Sequence, residues 1–417
     1  MTIATLGRSA VSRRRVLASF GGGALVAASP FRINLLRAQE PTIKVGFVVS
    51  LTGPYGAEAQ DQARGAQTAV FEFNEAGGLN GRKAELLVRD DKLNAGEGAT
   101  RTLELIENEK ISFMAGSLSA AVQLAINNIT KQRGIIFNSA SQSDSINEAT
   151  DFSRYTFHEA LNPHMTAGAI GRYAFPKFGK RVAFLTADYA YGHEMVRGFL
   201  DVGKDFGIEN LVDIRHPLGT NDFSALLPRI QALKPDMLVI SNYGRDQQIA
   251  LKQVTDFGMK KSMKVVAPIM SYPGRLAIGP QAFEGVLGAT SYYWGVEEKL
   301  PSAKSFNDSF RKVHGGKVPS DYGAMSYGSV KTLLMAAKAA GTVDSGKVVD
   351  AMEALQYDFY KGPQHYRRCD HQSVQSVLIV ESKPAPEKDS PDVFKIIGIE
   401  NPSEINLRTC EELGHKA

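Results

Sequence analysis

The sequence has only two cysteines, Cys369 and Cys410, no acidic residue before Glu40, and no excess of positive charge beyond its first segment. Each shortage removes a class of protein. Two cysteines permit at most one internal bridge. No run beyond that first segment approaches 18 apolar residues, so no transmembrane helix is expected. Residues 1–38 hold six arginines, and without them the formal charge of +4 becomes −2, which removes the electrostatic case for a nucleic-acid partner. Catalytic signatures are missing too. There is no Gly-x-Ser-x-Gly elbow and no Walker-type loop, and His158-Glu159 and His193-Glu194 each lack the second histidine of a helical zinc site. Ser309 and Lys312 match a Ser-x-x-Lys spacing, but in a charged, exposed helical pattern.

What is present begins with a targeting signal. Ser12-Arg13-Arg14-Arg15-Val16-Leu17-Ala18 leads into a Gly- and Ala-rich apolar run ending near Ala28, and this polarity predicts an export peptide over residues 1–38. The pattern is similar to a twin-arginine signal, with Val16 and Ala18 in place of the usual Phe and Lys, so the general secretion route stays open. Export to an oxidising compartment allows Cys369 to bridge Cys410. The alternative for that region is a metal site of His365, Cys369 and His371, whose spacing matches no usual zinc pattern.

With 43% hydrophobic residues, the chain can bury one large core or two medium ones. From Ile43 onward short β-branched runs alternate with amphipathic helices. Strands are predicted at 43–49, 84–90, 111–116, 134–139, 181–186, 211–216, 236–241, 264–268 and 285–290, with helices between them. In the first helix Ala59, Ala63, Ala66, Val70 and Phe73 share one face, while Glu58, Asp61, Arg64 and Glu72 point elsewhere. Nearly all-apolar strands separated by helices predict an α/β fold with parallel sheets covered on both faces. Tyr155–Asn162 reads as a crossover, and the pattern changes again after Ser291, so two doubly wound lobes are expected with a ligand in the cleft between them.

Polar loops at strand ends supply the candidate site. Ser119 opens a helix and either caps it or joins its free N–H groups in a carboxylate cradle. Ser139 to Asp144 offers further donors at the same sheet edge. Asp246 opens another helix, facing either a ligand ammonium group or its own helix dipole. Tyr191 and the trio Tyr292-Tyr293-Trp294 are candidates for pocket walls or for packed core.

Val45-Gly46, Ser50-Leu51-Thr52-Gly53-Pro54, Gly65-Ala66, Asn74-Glu75-Ala76-Gly77-Gly78-Leu79-Asn80-Gly81-Arg82, Asp90-Asp91, Asp188 to Gly192 and Asp222-Phe223-Ser224 together resemble the branched-chain amino acid type of periplasmic binding proteins, which serve ABC importers. The resemblance implies a type I binding fold of two lobes joined by three crossovers, with residues 41–159 plus 291–368 in one lobe and 160–290 plus 369–417 in the other. It places carboxylate-binding loops on Ser119 and Ala120 and on Ala140, Ser141 and Gln142, the cleft tyrosine on Tyr191 and the ammonium-binding acid on Asp246, with Tyr292 added as a wall. Ala120 stands where a serine is frequent, Asp246 is shorter than the usual Glu, and Glu58 occupies an aromatic pocket position. Those departures allow a ligand with a cationic, hydroxylated or amide tail, or a Glu58 turned to solvent. The implied role is capture of a small amino acid or related carboxylate for an inner-membrane ABC permease, in the periplasm, without catalysis or a cofactor. A sensor of the same fold that presents occupancy to a receptor, and an exported metalloenzyme, are the alternatives.

Overall fold

A computed structural model describes residues 42–384 and 390–416; the export peptide expected over residues 1–38 lies outside the described residues. Along the chain, β1 (Ile43–Val49), α1 (Gly56–Glu75), β2 (Ala84–Asp90), α2 (Ala95–Glu107), β3 (Phe113–Gly116), α3 (Ala120–Arg133), β4 (Phe137–Ser139) and β5 (Thr156–His158) form the first half. Their strands make one parallel sheet in the order β2-β1-β3-β4-β5. The chain then crosses into α4 (Pro163–Phe178), β6 (Arg181–Ala187), α5 (Ala190–Phe206), β7 (Glu209–His216), α6 (Leu227–Ala232), β8 (Met237–Ser241), α7 (Gly244–Asp256), β9 (Lys264–Ile269), α8 (Tyr272–Ile278), α9 (Pro280–Phe283) and β10 (Leu287–Thr290). It returns as α10 (Pro301–Val313), α11 (Asp321–Ala340), α12 (Ser345–Ala354) and a small sheet of β11 (Gln356–Tyr357), β12 (Gln364–Tyr366) and β13 (Ser373–Val374), and crosses again into β14 (Val377–Ser382) and β15 (Phe394–Glu400).

The second sheet runs β15-β14-β10-β9-β8-β6-β7. It is not wholly parallel, because β14 lies antiparallel to β10 and β15 antiparallel to β14. Only 11 residues separate β14 from β15, fewer than the crossover a parallel pair needs, so the pair forms an antiparallel ribbon at the sheet edge. Three crossings therefore join the lobes, at about residues 159–162, 291–293 and 375–376. The third falls later than the expected change at 368, because β13 pairs with β12, His365 facing Val374, and stays with the first lobe.

The first helix departs from its sequence pattern in one respect. Ala59, Ala63, Ala66 and Phe73 are buried as periodicity requires, but so are Glu58 and Asp61. Helix α11 packs against α1 on a second side, and the Asp61 carboxylate accepts the Ser320 N–H (2.8 Å) and an Arg64 N–H (3.1 Å). The reading of Glu58 as turned to solvent is also corrected: Glu58 is 3% exposed and accepts the hydroxyl of Ser271, at the start of α8 in the facing lobe, at 3.2 Å.

After β15 the tail returns to the first lobe. Cys410 is bonded to Cys369, Arg408 pairs with Glu148 at 2.8 Å, and the Leu413 carbonyl accepts the Ala149 N–H at 2.9 Å. With Cys369 in a disulfide, the three-residue metal alternative loses its thiolate, and His371 bonds the Thr156 carbonyl and Glu353. The bridge closes a separation of 41 residues. Constraint of the unfolded chain on that scale contributes roughly 3 to 4 kcal/mol. Urea unfolding of Cys410→Ser, followed by circular dichroism, is expected to show a loss of that size; a loss below about 1 kcal/mol would mean that ion pairing and packing hold the tail without the bond.

Candidate ligand-binding site

Parallel strands send the chain out at their carboxyl ends, and the helices that follow begin there. Four of these starts meet at one cavity of about 410 Å3 between the lobes: Tyr55 precedes α1, Ser119 precedes α3, Tyr189 precedes α5 and Tyr243 precedes α7. None of the four side chains caps its own helix. By contrast α2, α4, α8, α11 and α12 each start on an Asn, Ser or Asp side chain that accepts a first-turn N–H. Helices α3 and α5 thus leave first-turn donors and the positive ends of their dipoles for something else, whereas α1 and α7 carry the buried acids Glu58 and Asp246 in their first turns. Helices α6, α9 and α10 also start uncapped, on Leu226, Gly279 and Leu300, none of which lines the cavity.

The remaining wall is aromatic and apolar. Tyr191 and Tyr322 join Tyr55, Tyr189 and Tyr243, and Leu93, Leu118, Leu124, Leu218 and Ile269 fill between them. Among the described residues that line this cavity there is no Lys, Arg, His, Asp or Glu. The Tyr191 and Tyr243 hydroxyls are buried and have no hydrogen-bond partner among the described residues, and burial raises the Tyr191 hydroxyl far above its ordinary range, so it stays protonated and able to donate. Such an arrangement holds an anionic group by N–H and O–H donors and an apolar body by rings.

The lobes touch around the cavity. The Tyr55 and Tyr243 rings lie 5.1 Å apart. Tyr55 comes so close to Gly244, at φ +60°, that a Cβ there would sit 2.2 Å from the ring. Behind Gln142, the Glu194 carboxylate of α5 accepts the Ser145 hydroxyl (2.6 Å), the Ser143 hydroxyl (3.2 Å) and the Asp144 N–H (3.1 Å). Arg197 reaches the Asp144 carboxylate at 3.2 Å.

A family model described as periplasmic binding protein matches residues 42–389. The chain belongs to the branched-chain amino acid type of periplasmic binding proteins. It is 24% identical over 339 residues to the Leu/Ile/Val-binding protein homolog 7 of Brucella abortus, covering 78% of this chain and 84% of that one. It shares its fold with an amino acid ABC transporter substrate-binding protein of Pseudomonas fluorescens (TM-score 0.82, 24% identity, 91% and 99% of the two chains). It does so equally with a Rhodopseudomonas palustris solute-binding protein solved with 3,4-dihydroxybenzoic acid (TM-score 0.77, 23% identity, 87% and 98%). Members of the family are substrate-binding proteins, not enzymes, and the fold is the type I periplasmic binding fold.

Within this binding protein, Ser119, Ala120, Gln142 and Tyr191 line one cavity. The Ser119 hydroxyl does not cap α3. Ala140 and Ser141 lie one layer behind: the Ala140 carbonyl accepts from Gln62 at 3.3 Å, and the Ser141 hydroxyl holds the Leu118 carbonyl at 3.0 Å, fixing the loop that carries Ser119. Asp246 is buried in the first turn of α7 and accepts the Gly219 N–H at 2.9 Å. It lines an adjoining chamber of about 360 Å3 that shares Tyr55, Leu93 and Leu218 with the main cavity. Glu58 lines neither. Tyr292 is corrected to core: its ring packs on Phe306 and Tyr360 and its hydroxyl donates to Asn307 at 2.7 Å, because the chain has already turned into the first lobe. Tyr55, Tyr189, Tyr243 and Tyr322 were not anticipated, although the first three stand at strand ends, the signal that pointed to Ser119.

The carboxyl pair between the lobes carries a pH signature. Burial first, and the charge of Glu194 second, raise Asp144 to about 7 against the pull of Arg197 and Arg408. The native state then holds more protons than the unfolded chain between pH 4 and 7, so this group's contribution falls as pH rises through that window. Asp144→Asn removes the penalty. Its stability relative to wild type, from urea unfolding at pH 4, 5.5, 7 and 8, is expected to climb between pH 4 and 7 and level off above; a flat difference would refute a raised Asp144 carboxyl.

Proposed function

We propose that this binding protein captures a small aromatic carboxylate between its lobes in the periplasm and delivers it to an inner-membrane ABC permease. The observation that carries the reading is the convergence of four uncapped helix starts on a cavity walled by five tyrosines and free of charged side chains. The ligand carboxylate lies against the start of α3, with the Ser119 hydroxyl, Gln142 and first-turn N–H groups as donors. Tyr191 donates from the opposite lobe, and the ring lies among Tyr55, Tyr189, Tyr243 and the leucines. Export follows from the Arg-rich leader, and no described helix is long and apolar enough to cross a membrane. A similar protein bound to 3,4-dihydroxybenzoic acid supports the ligand class.

An α-amino acid is the second reading, favoured by Asp246 in the adjoining chamber, where an ammonium group would meet a carboxylate. Calorimetry on protein refolded to remove carried-over ligand separates the two, with benzoate, 4-hydroxybenzoate, 3,4-dihydroxybenzoate, leucine and phenylalanine as probes. The benzoates are expected to bind most tightly, Tyr191→Phe to cost about 0.5–1.5 kcal/mol, and Asp246→Asn to leave them within twofold. Tighter binding of leucine or phenylalanine, with a loss of roughly 2–5 kcal/mol in Asp246→Asn, would install the amino acid. No binding by any probe would remove the carboxylate reading.

A further inference from the structure

Three crossings join the lobes, and one side chain touches two of them. Lys361, 2% exposed in the turn between β11 and β12, donates to the Ser291 carbonyl of the second crossing at 3.0 Å. It also donates to the Gln375 side-chain oxygen and to the Ser376 carbonyl (3.3 Å) of the third. Gln375 passes the link to the first crossing, its amide donating to the Glu159 carbonyl at 2.5 Å. The Ser376 hydroxyl returns a bond to the Lys361 carbonyl at 3.0 Å. The Glu159 carboxylate is filled by four donors: Tyr357 (2.6 Å), Tyr366 (2.8 Å), Tyr360 (3.0 Å) and Gln364 (3.1 Å). Gly328 of α11 makes room for it, since a Cβ there would lie 2.5 Å from its oxygen.

We propose that Lys361 is the positioning residue of the hinge, pinning the second and third crossings together while Gln375 carries that register to the first. An ammonium group has three N–H donors, and three acceptors face it here. A neutral amine has two donors, so deprotonation leaves one crossing acceptor without a partner.

The groups that face this ammonium are the Glu159 carboxylate of the first crossing, the Tyr360 ring 5.3 Å away on its own turn, and Tyr357 and Tyr366 of β11 and β12 around Glu159; from α11, Asp321 meets the second crossing through its carbonyl, which takes the Ser291 hydroxyl. Burial lowers Lys361 to about 7 against the pull of Glu159, while burial raises Glu159 and raises Asp321 well above the carboxylate range. The hinge pin thus changes charge near neutrality.

Hydrogen–deuterium exchange of the ligand-free full chain, corrected for intrinsic rates, tests this without knowledge of the ligand. Between pH 6 and 8.5 the amides of residues 159–162, 290–293 and 374–377 are expected to lose protection several-fold relative to β1 and β8. Lys361→Met is expected to show weak protection there at every pH, with no step. Glu159→Gln removes the stabilising charge and is expected to move the step to lower pH. Crossings that track the sheets at all pH values, or a step that survives Lys361→Met, would overturn the proposal. Should Lys361→Met fail to fold, the wild-type step and its displacement in Glu159→Gln decide, and an undisplaced step overturns it.

Discussion

A parallel strand followed by a helix leaves that helix's first N–H groups at the sheet's carboxyl edge, and two such sheets facing each other leave several helix starts around one gap. The rest of this molecule depends on that constraint. Side chains that would ordinarily quiet those donors are present on α2, α4, α8, α11 and α12 and absent on α1, α3, α5 and α7. An uncapped start costs on the order of 1 kcal/mol relative to a good cap. Four such costs at one place are a deliberate concentration of donor capacity, offset by the packing of each helix on its sheet.

Concentrating donors in the gap has a counterpart in the acids around it. Glu58, Asp61, Asp144, Glu194 and Asp321 are all buried near the lobe contact, yet none lines the cavity. Each lies in the first turn of a helix, or is held by hydroxyls, N–H groups or an arginine, or is raised toward its neutral form by burial. Placing an ionised acid on the wall would cancel the helix ends; placing it one layer back keeps the contact polar without opposing an anion.

How much of this could be read from the chain follows from which forces are local. The bounds of β1 follow directly from its β-branched run, and those of β2 from the Leu86-Leu87-Val88 stretch between polar ends. Strands at 377–381 and 393–399 were legible as β14 and β15, but their antiparallel direction was not, because direction depends on what connects two strands rather than on their composition. Glu58 was misread because a helical wheel assumes one buried face, while the facing lobe covers α1 at its start through Ser271. At the site, Ser119, Gln142 and Tyr191 follow from position after a strand. Tyr243 stood beside Asp246 in the same turn, and the charge of the second drew attention from the ring of the first. Tyr322 carried no local signal at all, since it reaches the cavity from a helix that begins after the second crossing. Tyr292 shows the opposite error: β10 ends in a crossing instead of a helix, so the residues after it leave the cleft.

A cavity wall without formal charge also separates two properties that a charged wall would join. Hydroxyls and peptide N–H groups keep their state across the ordinary pH range, so the grip on an anion is set by geometry. Asp144 between the lobes and Lys361 among the crossings, whose burial brings them near neutrality, stand outside the cavity, at the contacts that join the lobes. Ligand affinity in a closing protein is intrinsic affinity reduced by the fraction of molecules able to close. Protons here can alter that fraction while the contacts to the ligand stay the same, which lets capture respond to its surroundings without loss of chemical selectivity.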